Sequence, residues 1–331
     1  MAIARFNAQT VGVYLGLAML AGCGGQRAVG GSGAVPAIES TSSETLRAAT
    51  PPGDLLYVAR VLGKPGHYRG AISVLTFPNG KPVATILTPG FTTGLCSDAS
   101  GNVWAVVVQG HHWSAYEFSH GGTKPIAKIH IPHTNDAAGC TVDPTNGNLA
   151  VFVGSYQGSG QGAFVDVWAG AREGMPTMYQ IAFTPFAGAY DDRGNLFVDG
   201  YMGDTVAFEF AELAKGASSF TNISLSQPYG FYPGGVQWDG KYVALAPGPT
   251  PHRPAIYRLK IAGSRAKVVD TVHLDHMDAR ALFSVKEGMV AAASGVGGYN
   301  VRLWRYPGGD KSTKTLLRTQ LSVSGLAISA R

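Results

Sequence analysis

Charged side chains are scarce in this 331-residue chain, where Asp, Glu, Lys and Arg together make up 14%. The lysines and arginines are scattered without a run, so the net charge of +5 does not form the basic track of a nucleic-acid groove. Cysteine is nearly absent, with three in all, which excludes a small disulfide-built scaffold. The apolar run at residues 11–21 is shorter than the ~20 residues that cross a bilayer as a permanent helix. Long polar stretches of helical period are missing. So are a P-loop, a nucleophile elbow and a zinc-protease helix motif, which removes three common enzyme signatures.

Glycine, by contrast, is abundant at 45 residues, and aromatics make up 10%. That mixture suits many short strands joined by tight turns. The length accommodates one large domain or two ordinary ones.

Residues 1–22 read as an export signal. Arg5 is the only early charge, and the apolar run after it ends in Leu20-Ala21-Gly22-Cys23. This ending resembles the lipobox of bacterial lipoproteins. The resemblance implies that Cys23 receives a diacylglycerol on its sulfur, and that Gly24, where an aspartate would favour the inner membrane, directs the protein outward. Acyl chains contribute about 0.8 kcal/mol per buried CH₂, so a multiply acylated Cys23 would hold the protein on a membrane. The expected location is the cell envelope, at the outer membrane, facing the periplasm or the surface. Residues 23–53, with Gly30-Gly31-Ser32-Gly33, Ser40-Thr41-Ser42-Ser43 and Pro51-Pro52-Gly53, read as a disordered tether with little apolar area to bury.

From residue 54 to 331 the chain repeats. Gly94-Leu95-Cys96-Ser97-Asp98 runs through Gly101-Asn102 into Val103-Trp104-Ala105-Val106. Equivalent units open at Gly139, Gly188, Gly235 and, in degenerate form, Arg280; an orphan start stands at Gly325. The starts lie 45 to 49 residues apart, the size of a four-stranded propeller blade. Asp-x-x-Gly-Asn is hairpin chemistry: the aspartate side chain closes the turn and glycine takes positive φ. The first folded segment, Leu55-Leu56-Tyr57-Val58-Ala59, matches the second strand of a blade and lacks its innermost strand. The final segment, Leu326-Ala327-Ile328-Ser329, is an innermost strand without a blade. The sequence therefore implies an all-β, six-bladed β-propeller of four-stranded blades, closed by pairing of the C-terminal strand with the N-terminal blade. Phrases such as Leu75-Thr76-Phe77-Pro78-Asn79-Gly80-Lys81-Pro82 and Gly234-Gly235-Val236-Gln237-Trp238-Asp239-Gly240-Lys241-Tyr242 resemble NHL-type propellers and propeller lipoproteins of bacteria. The resemblance specifies fold and leaves function open.

In such a ring the loops after each second strand and the links between blades share one face. Six of the nine histidines fall in these segments: His67, His111, His112, His133, His252 and His276. Trp113, Tyr156, Tyr201, Tyr229 and Tyr232 join them. Rigid aromatics with a few polar groups suit a ligand surface, so this loop face is expected to bind a small molecule, a glycan or a protein. The bland alternative is exposed, tolerant loop tips with aromatics packed between blades.

No cofactor is expected. A divalent metal would need His111, His112 and His133, or Asp275, His276 and Asp278, to converge, and adjacent histidines on an extended segment point to opposite faces. Gluconolactonase-like propellers use a glutamate, an asparagine and aspartates about an axial ion, yet none of the seven glutamates falls in a loop-face segment. Streptogramin-lyase-like propellers use a histidine base, for which His112 and His276 are the candidates. The leading expectation is a non-catalytic binding propeller. The alternatives are a metal-assisted lyase or lactonase on the same face and a scaffold that makes contacts through its rim. Cys96 and Cys140 fall at opposite parity on adjacent innermost strands, so they are expected as separate buried thiols without a bridge. Residues 211–215 read as a short helix-like insertion at the rim.

Overall fold

The computed structural model describes residues 53–63, 67–132, 136–154, 163–202, 207–226, 233–247, 254–277, 282–294, 298–319 and 321–331. The expected export signal, Cys23 and the expected tether up to residue 52 lie outside the described residues. Among those described there is no α-helix, and a single 3₁₀ turn covers Ala169–Ala171.

The strands form six sheets, the blades of a propeller. Blade 1 combines Val323–Ser329, Leu55–Leu62, Arg69–Thr76 and Pro82–Leu87 in spatial order. Blade 2 runs Phe91–Ser97, Val103–Gln109, His112–Phe118 and Pro125–Ile131. Blade 3 runs Ala137–Val142, Leu149–Val153, Ala163–Trp168 and Thr177–Ile181. Blade 4 runs Thr184–Tyr190, Leu196–Met202, Ala207–Leu213 and the two residues Thr221–Asn222. Blade 5 runs Gly235–Trp238, Val243–Ala246, Ala255–Ala262 and Arg265–His273. Blade 6 runs Phe283–Lys286, Met289–Ser294, Asn300–Arg305 and Gly309–Arg318.

The turn chemistry is as the sequence implies. Asp98 accepts the backbone N–H of Ser100 and Asn102 at 2.9 and 2.8 Å, and Asp191 accepts those of Arg193 and Asn195 at the same distances. Gly101 and Gly194 take φ of 84° and 85°, where a Cβ would be strained.

The core is divided into six clusters of buried residues, each a seam between neighbouring blades. Along Val103–Gln109, Val103, Ala105 and Val107 enter the seam with blade 1, while Trp104 and Val106 enter the seam with blade 3. A strand buried on both faces needs apolar residues at every position, which explains the unbroken apolar runs.

This arrangement overturns the expectation for the cysteines. Cys96 and Cys140 form a disulfide, with their Cα atoms 5.6 Å apart. They do point to opposite faces of their own sheets. In a ring, however, the forward face of blade 2 abuts the rear face of blade 3, so opposite parity brings the two sulfurs into one seam. The helix-like insertion is likewise replaced. Residues 211–213 finish the strand Ala207–Leu213, because Ala211 and Leu213 pair with Val198 and Leu196. One addition breaks the four-strand plan: Ser224–Leu225, just past the short last strand of blade 4, pairs parallel with Arg265 and Ala266 of blade 5.

Ring closure is by the expected pairing, in the register Leu55 to Ser329 through Ala59 to Gly325. Hydrogen bonds to blade 2 fasten it. Ser97 Oγ donates to the Ile328 carbonyl at 2.8 Å, and the Tyr57 hydroxyl accepts the Gly121 N–H at 2.7 Å. The buried His120 donates from Nε2 to the Gly53 carbonyl at 3.1 Å and meets Ser329 Oγ through Nδ1 at 2.6 Å, so one imidazole contacts both ends of the propeller.

Truncation after Gly325 strips blade 1 of its innermost strand and exposes an edge. Differential scanning calorimetry should show the single unfolding transition broadened or lost. Replacing both Cys96 and Cys140 by Ala should lower stability by about 2–4 kcal/mol in denaturant titration, with the fold retained.

Candidate functional site

The site builds outward from the axis. Innermost strands of all six blades line a central cavity of about 60 Å³, through Gly325, Thr93, Ala138, Phe186, Gly235 and Leu282 among others. That is room for about two waters. Glycine sets the diameter: a Cβ on Gly94 would lie 2.5 Å from the Cα of Gly139. No carboxylate or imidazole lines this cavity among the described residues.

At the loop face the innermost strands bulge. The register shifts between Thr92 and Gly94, between Ala137 and Gly139, and between Pro185 and Ala187. A bulge re-aims the extra residue, and here Thr93, Ala138 and Phe186 end up at the mouth of the axis.

The sequence candidates spread over this face. His67 is exposed in the blade 1 loop, beside the exposed Tyr68. His111 and His112 are exposed at the tip of the blade 2 hairpin, where His112 pairs with Gln109. Tyr201 is half-buried near the end of a blade 4 strand. His276 is exposed between blades 5 and 6 at φ 56°. Trp113 turns inward instead: it is 6% exposed in the seam between blades 2 and 3, because alternation along His112–Phe118 puts Trp113 and Ala115 on that side. His133, Tyr156, Tyr229, Tyr232, His252 and Asp278 lie outside the described residues. Among those described, no three His, Cys, Asp or Glu side chains stand close enough to hold a metal. Asp275, expected beside His276, is occupied by Trp304 Nε1 at 2.7 Å and the Ser312 N–H at 2.8 Å. Burial pushes its carboxyl up, but these bonds and the His276 and Arg302 charges outweigh that and hold it below the ordinary value.

The residue that sequence reasoning missed is Asp199. It is fully buried in Leu196–Met202, and accepts the Ala187 N–H at 2.9 Å and the Gly234 N–H at 2.8 Å, joining the inner strand of blade 4 to the entry of blade 5. The signal was a lone acid inside the apolar run Phe197-Val198-Asp199-Gly200. Burial pushes its carboxyl well above the ordinary value, against the pull of the two N–H groups.

The folded chain thus keeps the Asp199 proton to a higher pH than the unfolded chain does. Its stabilising contribution is fully present below about pH 4 and is lost as pH rises through the folded value. The melting-temperature advantage of the natural protein over Asp199→Asn should be largest near pH 4 and shrink toward neutrality; an advantage growing with pH would refute the assignment.

No protein-family model matches the sequence, and no curated protein matches it. Solved structures match by shape. TolB from Acinetobacter baumannii aligns with a TM-score of 0.55 and 15% identity, over 84% of this chain and 67% of that one. A protein from Lactobacillus plantarum gives 0.50 and 10%, over 83% and 99%. A chain of the COPII outer coat vertex on membranes gives 0.53 and 13%, over 81% and 73%. At these identities the likeness is one of fold: the chain is a six-bladed β-propeller.

Proposed function

We propose that this propeller is a non-catalytic binding protein displayed on the cell envelope through a lipid on Cys23, and that its loop face takes a protein partner. The observation that carries the reading is the exposure of aromatic rings on that face. Tyr68, Phe91 and Tyr299, from blades 1, 2 and 6, are 42%, 45% and 44% exposed. Tyrosine and phenylalanine are enriched at the centres of protein interfaces, where they bury much area at small entropic cost. Exposed imidazoles at His67, His111, His112 and His276 stand on the same face and supply polar contacts for a rim. Around a cavity as small as the axial one, such a surface suits a broad contact better than an enclosed small molecule.

The envelope location rests on Leu20-Ala21-Gly22-Cys23 and Gly24, and the Cys96–Cys140 bond supports it, since disulfides persist in oxidising compartments. The fold neighbours include a chain from a coat assembled on membranes, an instance of this architecture in a multi-protein assembly.

Two measurements test the reading. Mass spectrometry of the protein from a bacterial host should find an N-terminal, acylated Cys23, and Cys23→Ser should release the chain from the membrane fraction; an unmodified Cys23 in the mature chain argues against anchoring. In-cell crosslinking should give adducts that vanish in the triple variant Tyr68→Ser, Phe91→Ser, Tyr299→Ser at unchanged melting temperature. Adducts of equal yield in both proteins would remove the loop face from the proposal.

A further inference from the structure

The opposite face, which carries the hairpin turns, holds two clefts. One, of about 590 Å³, lies between blades 4 and 5; the other, of about 420 Å³, lies between blades 5 and 6. Both fall in the size range of ligand pockets. Trp238 and Gly240 line both, so the two clefts flank a single ridge.

The ridge stands where two turns are short, those of blades 5 and 6. Blades 2 and 4 use Asp-x-x-Gly-Asn, and those turns reach their neighbours: a Cβ on Gly101 would meet Ala330 of blade 1, and one on Gly194 would meet Thr145 and Asp143 of blade 3. Blade 5 shortens the turn to Asp239-Gly240-Lys241-Tyr242 and blade 6 to Glu287-Gly288. A cleft opens on each side of the blade 5 turn, and the half-buried Trp238 lines both.

The ridge is also rigid. Asp239 accepts Arg258 Nε and the Tyr306 hydroxyl, both at 2.7 Å, and the N–H groups of Lys241 and Tyr242 at 3.0 and 2.8 Å. Arg258 also donates to Asp270 at 3.0 Å and stacks on Tyr242, 4.8 Å from the ring centre. In blades 2 and 4 a glutamate, Glu117 or Glu212, occupies the strand position that Arg258 takes here.

The lining charges balance. The larger cleft has Asp191, Asp192 and Glu212 against Arg193, Lys241 and Lys260. The smaller has Asp239 and Glu287 against Arg258 and Lys286. An anionic ligand meets the carboxylates and a cationic one meets the ammonium groups, so neither sign is favoured throughout. A neutral polyhydroxyl chain uses donors and acceptors alike, and its apolar ring faces stack on an indole. We infer that the Trp238 ridge and its two clefts form a binding site for a neutral oligosaccharide that lies across blades 4, 5 and 6. The site is independent of the loop-face reading.

The test is isothermal titration of the full-length protein with maltohexaose, cellohexaose and chitohexaose, with a heparin hexasaccharide as the anionic control. At least one neutral sugar should saturate below about 1 mM, and Trp238→Ala should weaken it at least about tenfold, or about 1.4 kcal/mol. Because Trp238 also packs on the seam, two further variants guard against misfolding: Trp238→Phe should retain binding, and the exposed pair Lys241→Ser, Lys260→Ser should weaken it without changing the melting temperature. Tyr68→Ser, on the loop face, should leave it unaltered. The inference is overturned if no neutral hexasaccharide saturates, if heparin binds in its place, or if binding ignores Trp238 or depends on Tyr68.

Discussion

The inner strands of this ring have no solvent side. Each blade is a sheet whose two faces both press on neighbours, so the apolar core is six seams with no common centre. No blade is stable alone, because half of each seam belongs to the next sheet. The ring must therefore close, and closure falls to the residues farthest apart in sequence. Val323–Ser329 fills the missing place beside Leu55–Leu62, and the hydrogen bonds from Ser97 and His120 fasten the join from blade 2.

Much of this was legible without coordinates. The 45-to-49-residue spacing, the Asp-x-x-Gly-Asn turns and the orphan strands at the two ends gave blade size, blade number and closure. What failed was inference across blades. The parity of Cys96 and Cys140 is read correctly from their distances to Gly94 and Gly139, but a two-faced sheet in isolation suggests separation where a ring of such sheets produces contact. Trp113 looked like a loop residue because it follows two histidines; its position in the strand, one step past His112, turns it into the seam. The pairing of Ser224–Leu225 with blade 5 has no local signal at all, since parallel partners 41 residues apart leave no period in the sequence.

The two faces of the ring carry different chemistry for a geometric reason. At the loop face, bulges and long connections free side chains from the ladder, and aromatics and imidazoles gather there. At the turn face, tight hairpins fix aspartates to backbone N–H groups, and acidic, basic and amide side chains interlock. Asp239 with Arg258 and Tyr306 is the most connected of these clusters: burial pushes the Asp239 carboxyl up, but its hydrogen bonds outweigh burial and hold it below the ordinary value. Beside the shortened turns of blades 5 and 6 that face opens into clefts.

The placement of the last strand also has a consequence in time. Arg331 bonds to Asp54 across a separation of 277 residues, so blade 1 stays incomplete until Val323–Ser329 has been synthesised. Blades 2 and 3, whose joining cysteines lie 44 residues apart, are complete long before that. The connectivity thus sets the order in which partners become available: those of the interior seams come first, and the two parts of the first blade can meet only once Val323–Ser329 has been made.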